Sequence, residues 1–187
     1  MYKITLPTLL TWLRIILVPF FVAIYYTPDS LFTMSDKNTI ATIIFVFAAI
    51  TDYLDGYLAR KLKQESSFGA FLDPVADKAI VAAALVVLVN LDRTFVFGAI
   101  VIIIREIAIS ALREWMAQLG EIKSTTVAYI GKLKTALQFL AISLLLYDYH
   151  TRFIGNIFML LAVIFTVVSM LYYLEQAKKH FRSMSAK

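Results

Sequence analysis

The chain has 187 residues, 60% of them hydrophobic and only 17% charged, with a mean hydropathy of +0.77 and a formal charge of +5. A soluble domain carries about 25% charged residues, so this balance points to an all-α integral membrane protein with no separate soluble domain. The absence of cysteine and the presence of only two distant histidines, His150 and His180, exclude disulfides and thiolate chemistry and argue against a histidine triad or histidine metal site.

Six apolar stretches are long enough to be membrane-spanning helices, which need about 20 residues each. They run over 6–27, 38–60, 71–91, 94–116, 126–147 and 153–174, and they fill residues 1–187 as one polytopic domain. An even number of spans puts both termini on one side. Lys3, Arg60, Lys61, Lys63, Arg113, Lys123, Lys178, Lys179, Arg182 and Lys187 flank one set of span ends, and only Lys37, Arg93 and Arg152 flank the other. Ten against three predicts cytoplasmic termini by the positive-inside rule. Tyr25, Tyr26, Tyr147, Tyr149, Tyr172 and Tyr173 lie near span ends, as interfacial aromatic anchors do. The basic residues form no single block, so they fit anionic lipid heads rather than nucleic acid.

The second and third spans break this apolar pattern at their cytoplasmic ends. Asp52, Asp55, Asp73 and Asp77 are four carboxylates within 26 residues. Acids beside hydrocarbon cost several kcal/mol unless compensated. Asp52 and Asp55 are spaced i, i+3, and Asp73 and Asp77 i, i+4, so each pair shares a helical face. Gly56, Ala59 and Gly69 keep those faces small and allow close approach. Four carboxylates suit two divalent cations, and all-oxygen ligation favours Mg²⁺ or Mn²⁺. Arg60 and the Ser66 hydroxyl could then meet a phosphate. The alternative is that these acids merely pair with bases inside a bundle; their regular spacing, with glycine and arginine interleaved, argues against it.

The run D-x2-D-G-x2-A-R-x8-G-x3-D-x3-D, formed by Asp52, Asp55, Gly56, Ala59, Arg60, Gly69, Asp73 and Asp77, resembles the signature of the CDP-alcohol phosphotransferases. The resemblance implies a six-helix homodimeric enzyme that transfers a phosphatidyl or similar group from a CDP-linked donor to an alcohol and releases CMP. It implies that Asp52, Asp55, Asp73 and Asp77 hold two metal ions, with Asp77 also the general base. It implies that Gly56, Arg60 and Ser66 contact the CDP part, beside Asp52, Ala59 and Gly69, and that Thr8 and Thr11 contact the nucleotide. An alcohol needs a base close by, and Asp77 beside a cation suits that task.

Arg105, Arg113, Lys132 and Lys134 lie within spans four and five. Cations so placed face the bundle interior or a wet cavity and could clamp a phosphate on the acceptor. Pairing with Glu106 and Glu114 is the competing reading, although four bases outnumber two acids. The stretches Arg105–Ala117, Gly131–Ala136 and Pro7–Arg14 are similar to the phosphatidylglycerophosphate synthase branch of the family. That similarity implies CDP-diacylglycerol and sn-glycerol 3-phosphate as substrates. It makes Arg105, Arg113 and Lys132 the acceptor-phosphate residues, and it implies a bacterial inner membrane with the site facing the cytoplasm. Rival readings are a sibling cardiolipin, phosphatidylserine or phosphatidylinositol-phosphate synthase and, from another class, a cation transporter. The edge placement of the acids and the absence of a repeat argue against transport.

Overall fold

The computed structural model describes residues 6–62, 67–118 and 125–185, with side chains outside description at 6–8, 53, 55–60, 62, 67–71, 113, 116–118, 125–130, 176–177 and 179–185. Each apolar stretch forms one helix: α1 (Leu6–Ala23), α2 (Met34–Leu62), α3 (Ser67–Asn90), α4 (Val96–Gln118), α5 (Thr125–Tyr147) and α6 (Arg152–Ser185). A single 3₁₀ turn, Ile24–Tyr26, follows α1, and no strand occurs among the described residues. The chain is thus all-helical. Helix α1 packs on α2 and α3, α5 packs closely on α6, α4 bridges α3 and α6, and α2 and α3 touch α5.

Local chemistry explains where the helices begin and end. Before α2, Thr33 and Asp36 cap each other: the Asp36 amide donates to Thr33 Oγ1 at 3.3 Å, and the Thr33 amide and hydroxyl donate to Asp36 Oδ2 at 3.0 and 2.7 Å. Those two bonds hold the exposed Asp36 carboxyl below its ordinary pKa. After α3, Asp92 takes φ 53°, and the Arg93 and Asp92 amides reach back to the carbonyls of Leu88 at 2.9 Å and Val89 at 3.0 Å. This is a Schellman ending with aspartate where glycine is usual.

That ending aims Arg93 into the bundle. Its guanidinium is buried, ion-paired to Asp148 Oδ2 at 3.2 Å, and donates to the α5 carbonyls of Leu146 at 3.1 Å and Leu145 at 3.4 Å. It also donates to Asn38 Oδ1 on α2 at 2.8 Å, while Asn156 Nδ2 on α6 donates to the Arg93 carbonyl at 2.9 Å. One residue therefore ties α2, α3, α5 and α6 together, by its side chain and its carbonyl, at the end where α5 exposes its unsatisfied carbonyls and negative pole. Nearby, Lys37 is buried against Asp29 Oδ1 and the Thr27 carbonyl, at 2.7 and 2.6 Å. Two of the three basic residues that flank this end are thus ion-paired to local acids.

The core is built from Phe21, Phe45, Ile80, Leu85, Leu88, Ile102, Ile142, Leu145 and Met159, with alanines 41, 48, 84, 99 and 141 allowing close helix approach. Phe45 stacks on Phe139 with centroids 5.3 Å apart. Outside, apolar residues recur at helical spacing. Leu9, Trp12, Ile16 and Phe20 face out from α1, Ile43, Phe47, Ile50 and Leu54 from α2, Phe97, Ile100, Ile104 and Ile107 from α4, and Phe153, Ile157, Leu160 and Ile164 from α6. Continuous apolar stripes on the outside of a packed bundle are a surface for lipid, not water, and the chain is a membrane protein. Leu9–Tyr26 and Arg152–Glu175 are each apolar enough to cross a bilayer unaided, with mean hydropathy 1.9 and 2.4. The helices between them carry more charges, which build the sites below together with Arg14 of α1. Helix α6, with 34 residues, is roughly 51 Å long and exceeds a hydrocarbon core of about 30 Å.

Candidate active site

Two helices bring acids to one point, at the bundle end opposite Arg93, and a third brings an arginine to meet them. Asp52 lies in the second half of α2, and Asp73 and Asp77 in the first half of α3. Facing them from α1 is Arg14, whose side chain is fully buried. Arg14 Nη1 donates to Asp52 Oδ1 at 2.7 Å and also to Asp77 Oδ1, and Nη2 donates to Asp73 Oδ1 at 2.8 Å. The Thr11 hydroxyl, one turn earlier on the same face of α1, donates to that same Asp73 oxygen at 2.8 Å. The acids remain partly open, with side-chain exposures of 46%, 40% and 44% for Asp52, Asp73 and Asp77. The cluster is therefore partly open on its acidic side, not a sealed internal ion pair.

Asp52, Asp73, Asp77 and Thr11 thus come together. The side chains of Thr8, Asp55, Gly56, Ala59, Arg60, Ser66, Gly69 and Arg113 lie outside the described residues. Arg14 is the residue whose part the sequence reading missed, since it was read only as the last position of a similar stretch. Its signal was present: a cation two turns inside an otherwise apolar span, at i+3 from Thr11, needs a buried anion. Three carboxylates around one guanidinium leave a formal excess of negative charge, and their hard oxygen donors suit a divalent cation of the Mg²⁺ or Mn²⁺ type. Among the described residues, however, no three acid or histidine side chains are arranged as a ready ligand set for a metal ion. The guanidinium sits where the three carboxylates meet.

A second polar cluster lies midway along α4, α5 and α6. Arg105 is buried and donates to Ser169 Oγ at 2.9 Å, with Glu106 Oε2 3.8 Å from its other terminal nitrogen and the Tyr173 ring 6.0 Å away. Lys134, also buried, is ion-paired to Glu106. The pairing weighed from the sequence is thus present at Glu106, whereas Glu114 is exposed. Lys132 stands exposed on α5, and Lys134, two residues on, is the one turned inward. Gln138, one turn beyond Lys134, and Thr166, one turn before Ser169, each bury a side-chain oxygen that has no hydrogen-bond partner among the described residues. Buried oxygens in that condition mark a place where a polar ligand or water belongs. Neither residue was singled out from sequence, because a lone glutamine or threonine in an apolar span carries no charge signal.

Comparisons with known proteins show what the chain is similar to. The family model for CDP-alcohol phosphatidyltransferase matches residues 4–168. The chain is 49% identical over 180 residues to the CDP-diacylglycerol–glycerol-3-phosphate 3-phosphatidyltransferase of Haemophilus influenzae, covering 94% of this chain and 95% of that one. It is 44% identical to the proteins of the same name from Salmonella typhimurium, over 94% and 96% of the two chains, and Wigglesworthia glossinidia brevipalpis, over 91% and 93%. With the match spanning both polar clusters and nearly the full length, the chain belongs to the CDP-alcohol phosphatidyltransferase family.

Proposed function

We propose that the protein transfers the phosphatidyl group of CDP-diacylglycerol to sn-glycerol 3-phosphate, giving phosphatidylglycerophosphate and CMP. The observation that carries this reading is the convergence of Asp52, Asp73 and Asp77 beside Thr11, in a chain similar along nearly its whole length to enzymes named for that reaction. A hydroxyl oxygen of the glycerol phosphate attacks the phosphorus that bears the diacylglycerol. A new P–O bond forms there, the P–O bond to CMP breaks, and CMP leaves with the bridging oxygen.

Asp77 takes the proton of the attacking hydroxyl, and Asp52, Asp55 and Asp73 complete the acidic cradle. Two Mg²⁺ or Mn²⁺ ions bound there would neutralise the diphosphate and lower the pKa of the hydroxyl. Thr11 fixes one oxygen of Asp73, so that carboxylate presents its other oxygen in a set direction. By resemblance, Thr8, Gly56, Ala59, Arg60, Ser66 and Gly69 receive the CDP portion. The acceptor's phosphate belongs at the cluster of Arg105 and Lys134, where the buried Thr166 hydroxyl can donate to it and Gln138 Oε1 can accept from a hydroxyl of the glycerol. Arg113 and Lys132 join it by resemblance.

The same reading makes the chain a single domain with six spans, cytoplasmic termini and a cytoplasmic-facing site in a bacterial inner membrane, working as a homodimer. The charge count at the span ends and the apolar outer stripes support it. The test is CMP release by the purified protein, with candidate alcohols supplied one at a time and with EDTA, Mg²⁺ or Mn²⁺. Release with sn-glycerol 3-phosphate, lost in EDTA and restored by either ion, is the expected result. Release with serine but not with glycerol 3-phosphate would refute the choice of acceptor.

A further inference from the structure

We propose that Arg14 is a built-in counter-cation, which holds the catalytic carboxylates together before metal arrives and is exchanged for the ion on loading. The inference rests on the two-metal reading above and goes beyond it by assigning a role to a residue that reading does not use. Arg14 is fully buried, and its two terminal nitrogens serve Asp52, Asp73 and Asp77 from two different helices. Without a cation, three carboxylates brought this close would repel one another and part. The guanidinium removes that repulsion, so the helices stay assembled in the absence of metal.

The same geometry sets the exchange. Asp52 and Asp77 both engage Nη1, and Asp73 engages Nη2. The carboxylate oxygen bonded to Arg14 is Oδ1 in each of the three acids. Each acid keeps a second oxygen, but a divalent ion seated at the common centre uses the Oδ1 atoms and takes them from the guanidinium. Arg14 and metal therefore compete, and the arginine, once released, becomes a fixed positive charge beside an incoming diphosphate. The competition lowers metal affinity and keeps the protein folded while it waits.

Arg14→Gln separates this role from a purely structural one. Mn²⁺ binding to the detergent-purified protein is read from the paramagnetic resonance signal of the free ion, and thermal unfolding is followed in EDTA and in Mn²⁺. Arg14→Gln is expected to bind Mn²⁺ about tenfold more tightly than the wild type, to unfold at a lower temperature in EDTA, and to recover on adding Mn²⁺. Unchanged or weaker Mn²⁺ binding by the variant would overturn the exchange. Should Arg14→Gln fail to fold, the wild type decides: phenylglyoxal labelling of Arg14, read by mass spectrometry, rises with Mn²⁺ if the side chain is released. Constant or falling labelling refutes the proposal. Asp73→Asn serves as the control. If the wild type binds no Mn²⁺, or binds it no better than Asp73→Asn, the metal site itself is wrong. If Asp73→Asn loses binding while Arg14→Gln gains none, the site stands and only the exchange fails.

Discussion

Asp52 on α2 and Asp77 on α3 accept hydrogen bonds from the same nitrogen, Nη1 of Arg14 on α1. Two acids that would repel at this separation are thereby made into one unit, and three helices are registered on a single atom. The proposed chemistry depends on that registration, because a base displaced by about 1 Å from its proton can cost a hundredfold in rate.

The first prediction follows for Asp77. Changing it to Asn removes the proton acceptor and keeps the shape. CMP release should fall by at least about a thousandfold, in the range expected of a positioned general base. Arg14 keeps Asp52 and Asp73, so helicity by circular dichroism and elution in detergent should match the wild type. Turnover above a tenth of the wild-type value would remove Asp77 from the role.

Arg105 provides the test of acceptor binding. Arg105→Ala deletes a charged hydrogen-bond donor, worth roughly 1.5–3 kcal/mol. The KM for sn-glycerol 3-phosphate should rise by about tenfold or more, while that for CDP-diacylglycerol stays within about twofold. Lys134 retains Glu106 in the variant, which keeps the cluster from holding an unpaired acid. Equal losses for both substrates would place Arg105 outside the acceptor site.

At the opposite end, Arg93→Met should destabilise without touching the chemistry. It leaves Asp148 and the last α5 carbonyls without their donor. Breaking a buried pair by removing one partner costs about 3–5 kcal/mol. The expected result is a lowered midpoint of thermal unfolding in detergent with both KM values unchanged. Arg93→Lys should recover only part of the loss, since an ammonium lacks the planar fork that reaches Asn38, Asp148 and two carbonyls at once.

Gly155 gives a packing prediction. A Cβ added there would lie 2.8 Å from Leu145 Cγ and 3.3 Å from the Leu145 backbone nitrogen. The close contact of α5 with α6 leaves no room for it. Gly155→Val should cost about 1–3 kcal/mol through overpacking, again seen as a lower unfolding midpoint. Gly131, with nothing among the described residues within 4 Å of an added Cβ, should accept alanine without such a loss.

Much of this was legible in the sequence, for physical reasons. Hydropathy alone separated the six helices, since lipid demands long unbroken apolar runs. The i, i+4 spacing of Asp73 and Asp77 placed that pair on one face before any tertiary structure was known. What stayed hidden was partnership between helices. Arg14 sits in the cleanest part of α1, and only packing reveals that its neighbours are Asp52, Asp73 and Asp77. Arg93 counts as one flanking charge in a topology rule, yet it is buried and ties four helices. Lys132 and Lys134 differ only in helical phase, and only the packing of α5 on its neighbours shows that Lys134 is the one inside.

The clasp at Arg93 also fixes where the molecule can breathe. Helices fastened at one extremity swing about that fulcrum, and displacement grows with distance from it. The acids around Arg14 lie toward the far extremity, where this second arginine restrains that swing by holding α1, α2 and α3 in register. Each pole of the bundle thus has its own buried arginine, Arg93 just past the end of α3 and Arg14 within α1.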